Sequence, residues 1–378
     1  MSESTPATPN LHALLIGIDY YKPNYLYKSL RGSVRDISLV ETFLQQTLKV
    51  PSDRIRKLIS AHEEDTALLD TISAQEPKPT YENIINAFSD ITAIAQPGEQ
   101  VYIHYSGHGG RATTVYSFKQ EQNDEAIVPM DIGDTEEGRY LRDVEMTTLL
   151  KRMTDKGLVV TMILDSCNSG GATRGDAEIR SAGETDTAQR SAQSLVAEPD
   201  ELEHNWLGLT RNRATSAAGL SARDYVLLAA CRPNEYAYEY AVNGGKERHG
   251  ALTYWMIDTL TSVATSGQPL TYKLLHDRVN AQIQSKFSQQ IPMILGESDR
   301  LVFGSDVWST PFTVSVIKVI SETQVTLNAG QAQGLSKGTR FSIYPFKTTD
   351  FTDKERQVAI VEITKVNASE STARVLTL

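Results

Sequence analysis

Short apolar runs alternate with amphipathic stretches through most of the chain. In "HALLIGIDYY" the residues from Ala13 to Ile18 are continuously apolar, which predicts a buried strand. The next segment, "SVRDISLVETFLQQTL", carries Val34, Ile37, Val40, Phe43 and Leu44 at helical spacing. "DRIRKLIS" predicts a strand, and "TYENIINAFSDITAIA" a helix opened by a threonine. "EQVYIHYSGHGG" is a strand running into glycines, "VEMTTLLKRMT" a helix and "LVVTMILDSC" a strand. "DYVLLAAC" and "GALTYWMIDTLTSV" repeat the strand and helix pattern. Such alternation predicts an α/β fold with a mostly parallel sheet flanked by helices. Ligands of such sheets gather at the carboxyl ends of the strands.

Two regions break the pattern. Residues 172–222 are rich in Ala, Ser, Thr, Glu and Arg, with little sustained periodicity and no lysine. A stretch this long without structure is usually functional or disordered. From about Pro311 the segments "TVSVIKVI", "QVTLNAG", "TRFSIYPF", "QVAIVEITKV" and "TARVLTL" are short, β-branched and partly alternating. They predict a small all-β domain, a barrel or sandwich, over residues 306–378. The expected organisation is a polar tail (1–10), a first α/β part (11–171), an Arg-containing linker (172–222), a second α/β part (223–305) and the β domain.

Composition narrows the function. The formal charge of −10 argues against nucleic acid as a partner, because phosphate binding needs clustered Lys and Arg. Two cysteines make no disulfide framework and predict a reducing, cytoplasmic setting. The polar start "MSESTPATPN" has no signal-peptide pattern, and no apolar run approaches the ~20 residues of a membrane span.

The chemistry concentrates at two strand ends. Cys167 and His108 each follow an apolar run and each is embedded in glycine. A cysteine nucleophile needs a base to raise its thiolate fraction and donors for the developing oxyanion. Glycines let a substrate backbone approach and leave amides bare. Either residue alone reads as structural, since cysteine is among the most buried types. The pair in this setting reads as a catalytic dyad. His104 and His108 lie four apart, but a strand and glycine turn is not the helix a zinc HExxH motif requires, and His104 reads as a packed strand residue. Cys231, Tyr236, Tyr238 and Glu239 are weaker candidates near the cleft.

"HYSGHGG" and "DSCNSGG" resemble the His and Cys motifs of the caspase-like clan, family C14, and most closely the metacaspases, in particular their prokaryotic orthocaspase group. "LRGSVRD", "NDEAIVPMD", "YVLLAACRPNEYAYE" and "HGALTYWMIDTL" extend the resemblance across roughly residues 11–300. The resemblance implies a caspase-like fold with a large p20-like and a small p10-like part. It also implies a cysteine endopeptidase acting on peptides or proteins after Arg or Lys. Cys167 would be the nucleophile, His108 the general base and acid, and the amides of Gly109 and Cys167 the oxyanion hole. Asp36 and Asp165 would form an acidic S1 pocket lined by Ser106, with Ser33 where metacaspases often have Cys. A carboxylate pair suits a guanidinium fork; Asp36 alone would read as a solvated helix-start carboxylate.

Many metacaspases need calcium. Asp124 and Asp143 match that pattern and Glu145 lies nearby, but Val144 occupies a family Asp position and Arg174 replaces an acidic residue. Calcium prefers six to eight oxygen ligands, so calcium-independent activity without a metal or other cofactor is expected. An Arg-selective pocket makes the linker a site of self-cleavage, with Arg180, Arg190, Arg211 and Arg213 as candidates. The competing readings are an uncut surface insertion and a caspase-like scaffold without turnover; retention of both Cys and His argues against the latter. A separase or clostripain relative fits less well with the ordered p10-like motifs. The β domain could recruit substrate, shield the cleft or mediate self-association.

Overall fold

The computed structural model describes residues 10–65, 76–166, 179–180, 184–215, 224–232, 235–245, 247–264, 270–307, 313–330, 335–346, 348, 351, 353–367 and 370–377, without the side chains of 210–215. Cys167, Arg174 and the side chains of Arg211 and Arg213 therefore lie outside the described residues.

Six strands form the central sheet: β1 (Leu11–Ile18), β2 (Ile55–Ser60), β3 (Gln100–Ser106), β7 (Val159–Asp165), β8 (Tyr225–Ala229) and β11 (Met293–Gly296). Their order is β11-β8-β7-β3-β1-β2, parallel except for the antiparallel edge β11. Every residue of β1 is buried, as its unbroken apolar run predicts for a central parallel strand. Leu14, Ile16 and Ile18 face one core with α2 (Tyr81–Ile94) and α3 (Asp143–Asp155). Ala13 and Leu15 face the other, with α1 (Ser33–Gln46), α5 (Ala251–Ala264) and α6 (Tyr272–Lys286). The expected two-sided α/β layering is present.

A three-stranded antiparallel sheet, β4 (Gly109–Thr113), β5 (Asn123–Ile127) and β6 (Leu141–Arg142), follows the His108 turn. A hairpin of β9 (Glu239–Val242) and β10 (Glu247–Gly250) precedes α5. The five C-terminal apolar segments become β12 (Val316–Ser321), β13 (Gln324–Leu327), β14 (Arg340–Ile343), β15 (Ala359–Val366) and β16 (Ser371–Thr377). Among the described residues they form one antiparallel sheet, ordered β12-β13-β16-β15-β14, rather than a barrel or sandwich. Contacts such as the Ser315 hydroxyl to the Asp277 carbonyl (2.8 Å) bring it against α6, which supplies a second layer.

The linker also differs from expectation. Residues Pro199–Thr215 form helix α4, anchored by Leu202 and Trp206 in the first core. Its start was legible: Pro199 fits the first helical position, and Asp200 and Glu201 complement the N-terminal dipole. The apolar stripe is simply narrow, with two buried anchors one turn apart.

Helix α1 packs directly on β1 at Gly17, where a Cβ would lie 2.7 Å from Ile37 Cγ1 and 3.0 Å from the Ser33 carbonyl oxygen. Gly17→Ala should therefore lower stability by about 1–3 kcal/mol through overpacking, read as a reduced urea midpoint. An unchanged midpoint would contradict this close approach.

Candidate active site

The sheet register sets the site. Gly17 pairs with Ser106, and Ser106 with Asp165, so three strand ends stand side by side. Asp19, just beyond β1, accepts from the Ser33 amide (2.8 Å) and the Val34 amide (3.3 Å) and so caps α1. Burial pushes its pKa up to about 6 against those amide bonds. The cap fixes the first turn of α1, which presents Asp36 to the strand ends.

Arg180 fills the space between them and is completely buried. Its Nη2 lies 2.9 Å from Asp36 Oδ2 and 3.3 Å from Glu239 Oε1. Its Nη1 lies 3.3 Å from Asp165 Oδ1 and donates to Ser106 Oγ (2.7 Å) and the Asp165 carbonyl (3.0 Å). Ser106 in turn donates to Asp36 Oδ2 (2.7 Å). A guanidinium held on both edges by planar acceptors is the geometry this side chain favours.

Each acid has further support. Asp36 accepts from the Gly250 amide (3.0 Å) and lies 3.1 Å from His249 Nδ1. Burial raises its pKa, but Arg180 and His249 outweigh that and hold it below the ordinary carboxylate value. Asp165 accepts from Thr253 N (2.8 Å) and Oγ1 (2.7 Å), yet burial, aided by the nearby Asp36 charge, keeps its pKa raised. The opposite directions follow from the contacts, because Asp36 receives the shorter guanidinium bond. Behind Thr253 stands His104, with Nε2 2.9 Å from the Thr253 hydroxyl and Nδ1 2.9 Å from the Tyr102 hydroxyl. Since the Thr253 proton points to Asp165, His104 donates through Nε2. Burial lowers its pKa to about 4.

Two glycines shape the slot. A Cβ on Gly250 would overlap the Asp165 carboxylate and the Arg180 guanidinium. One on Gly32 would come within 2.8 Å of Glu239 Oε1 and 3.1 Å of Arg180 Nη2.

The backbone around Arg180 is held like an added strand. Ile179 bridges antiparallel to Tyr238, and the Arg180 amide donates to the Ala237 carbonyl (3.1 Å). The Gly109 amide donates to the Arg180 carbonyl (3.1 Å). Beside it, His108 sits between the rings of Tyr21 and Tyr27, at centroid distances of 5.1 and 5.4 Å. Its Nε2 lies 2.6 Å from the Lys28 carbonyl, which can only accept. The proton is thus on Nε2, and Nδ1, which has no hydrogen-bond partner among the described residues, keeps its lone pair. Burial lowers the His108 pKa to about 4.

The remaining sequence candidates separate. The Ser33 hydroxyl is buried and has no hydrogen-bond partner, the guanidinium included, among the described residues. Arg190 is buried too, but pairs with Asp186 (3.0 Å) and donates to the carbonyls of Ile132, Gly133 and Thr135. Glu145 accepts from the Ser194 hydroxyl (2.6 Å) and, across its capping box, from the Arg142 amide (2.9 Å). Between Asp124 and Asp143 lies the Lys119 ammonium, 2.8 and 2.7 Å from their oxygens, and Arg142 pairs with Asp124 as well. The described residues hold no group of three or more metal-ligating side chains. Sequence reasoning set Glu239 near the cleft without its ion pair to Arg180, and missed His249, Gly250 and Thr253 as parts of the slot; the apolar and glycine pattern of "RHGALT" gives no sign of what they meet.

The Arg180 segment thus lies as an added strand at the carboxyl edge of the sheet, with its carbonyl on a glycine amide beside a histidine. The family described as metacaspase, peptidase C14 domain, matches residues 12–174. Metacaspase-1 of Mycosarcoma maydis is 27% identical over 297 residues, 74% of this chain and 68% of that protein. Metacaspase-1 of Schizosaccharomyces pombe is 26% identical, over 73% and 65% of the two chains. Metacaspase-1A of Aspergillus fumigatus reaches 32% over 160 residues, 42% of this chain and 35% of that one. The chain thus spans about two thirds of the first two relatives and is similar, through its α/β region, to the metacaspase-like C14 peptidases. No helix among the described residues is long and apolar enough to cross a membrane.

In nitrogen-resolved NMR of Cys167→Ala protein, His104 and His108 should remain neutral Nε2–H tautomers from pH 8 down to about pH 5 and take up protons only near pH 4. Burial disfavours the charged form, so the shift is downward from the ordinary value of about 6.5. Titration of either ring near that value would contradict the burial described.

Proposed function

We propose that this protein is a cysteine endopeptidase that cuts after Arg, and less readily after Lys, and that it first cuts itself after Arg180. The observation carrying this reading is the double engagement of Arg180, its guanidinium among Asp36, Asp165 and Glu239 and its carbonyl on the Gly109 amide. Residues of the substrate recognition and acyl-transfer machinery meet on one residue of the chain's own linker.

The mechanism follows from these contacts. His108 Nδ1 takes the Cys167 thiol proton, and the thiolate attacks the Arg180 carbonyl carbon. Negative charge developing on that oxygen is stabilised by the Gly109 amide, with the Cys167 amide as the second donor. The tetrahedral species collapses with loss of the Ser181 amine, which His108 protonates. Water, activated by His108, then hydrolyses the thioester and frees the Arg180 carboxylate. Because burial holds the imidazole neutral, it starts as a base. Lysine would offer one ammonium to acceptors spread around a planar fork, so Arg is preferred.

Arg180 is favoured over Arg190, whose side chain is spent on Asp186 and three carbonyls. Calcium independence is supported by Lys119, whose tethered ammonium pairs with both Asp124 and Asp143, and by Arg142, which pairs with Asp124 as well.

Wild-type protein should yield a new N-terminus at Ser181, detected by intact mass, while Cys167→Ala and Arg180→Ala lack that cut and Arg211→Ala keeps it. A wild-type chain that stays whole, or a first cut elsewhere, would sink the self-processing reading. On fluorogenic peptides, Arg should exceed Lys in kcat/KM by about tenfold, and Asp165→Ala should lower the Arg value by about 100-fold or more. Silence towards every Arg peptide after processing would favour a scaffold. Chelator should leave activity within about twofold; abolition by chelator with rescue by calcium would refute calcium independence.

A further inference from the structure

A cavity of about 700 Å³ lies between helix α6 and the C-terminal sheet, well away in sequence from the residues of the candidate active site. Its walls are mainly apolar: Leu274 and Ala281 from the helix, and Val316, Phe341, Ile343 and Val361 from the sheet. At its helical wall stands Arg278, only 6% exposed. One arm, Nη2, donates to the Thr348 carbonyl (2.8 Å). The other, Nη1, is buried with no hydrogen-bond partner, and Arg278 makes no ion pair among the described residues. Burial alone displaces its pKa, downwards, with no carboxylate opposing it.

A guanidinium cannot shed its proton at neutral pH, so it needs an anion when buried. Among the described residues every other buried arginine has one: Arg142 has Asp124, Arg180 its three acids, Arg190 has Asp186 and Arg300 has Glu297. The neighbouring Asp277 does not serve Arg278; its oxygens face His276 (3.2 Å) and the Thr313 hydroxyl (3.3 Å). Asp277 and the exposed Glu322 also border the cavity, and their charges disfavour a multiply charged anion such as a phosphate. Arg340, the other lining cation, is matched by Glu362 (3.0 Å). One unmatched positive charge beside an apolar volume of this size calls for one negative charge on an apolar body.

We propose that the space between α6 and the C-terminal sheet binds an amphiphilic monocarboxylate of the fatty-acid kind, its carboxylate on Arg278 Nη1 and its hydrocarbon chain along Val316, Phe341 and Val361. A carboxylate there supplies the missing acceptor, and the chain displaces water from apolar walls.

The test is calorimetric titration of the full-length Cys167→Ala protein with decanoate, kept below its micelle concentration, and with decanol as the uncharged counterpart. Decanoate should bind at one site per chain, about tenfold or more tighter than decanol. Arg278→Leu should weaken decanoate by a similar factor and leave decanol unchanged. Ala281→Trp, which narrows the cavity from the half-buried helix face without touching the charge, should weaken both. It also keeps the test decisive should Arg278→Leu fold poorly. Equal binding of the two ligands, several decanoates per chain, or decanoate binding that neither variant alters would overturn the proposal.

Discussion

The ion cluster around Arg180 is the constraint on which the arrangement of the α/β region turns. Three carboxylates from α1, β7 and β9 converge in a space closed to water. Without a cation, their mutual repulsion and desolvation would oppose that convergence strongly. With the guanidinium present, each acid has a partner, and elements more than 200 positions apart in sequence are tied together, as in the bond from the Gly250 amide to Asp36. The cap of Asp19 on α1, the register of β3 with β7 and the bareness of Gly250 all serve this meeting point. Burying an ion pair contributes little to stability by itself, whereas removing one partner of such a cluster is strongly destabilising.

Legibility in the sequence follows the range of the interactions. The central strands were readable because a parallel strand covered on both faces is apolar along most of its length, and β1 and β7 are, apart from His12, Thr161 and the terminal Asp165. The five C-terminal strands were readable from their short β-branched runs, although how their sheet is covered was not, since α6 supplies that layer from a distant part of the chain. His108 was legible from glycine, strand end and family resemblance together. His249 and Thr253 were not, because their meaning depends on contacts with Asp36 and Asp165, and no local pattern encodes a partner on another element. Arg180 and Arg190 looked alike as punctuation in a polar stretch. The fold separates them, sending one guanidinium to the strand ends and the other to a ring of carbonyls.

Lys119 illustrates how a local charge balance can be met in different ways. Two carboxylates as close as Asp124 and Asp143 need positive charge between them. A side-chain ammonium provides it at a position fixed by the covalent chain, with no dependence on an external ion and no exchange. Burial nevertheless leaves the pKa of Asp143 raised to about 6, because one ammonium shared by two acids does not fully offset desolvation.

Under the proposed self-cleavage, the position of Arg180 has a kinetic meaning. A cut on its carboxyl side leaves Arg180 as the last residue of the fragment that carries Cys167, only thirteen positions earlier. The first product would then be a leashed one, with a local concentration in the millimolar range set by the short connection. Any incoming substrate would have to compete with that leash for the same slot, so processing and full opening of the cleft become two separate events, the second governed by how far the cut end can swing away.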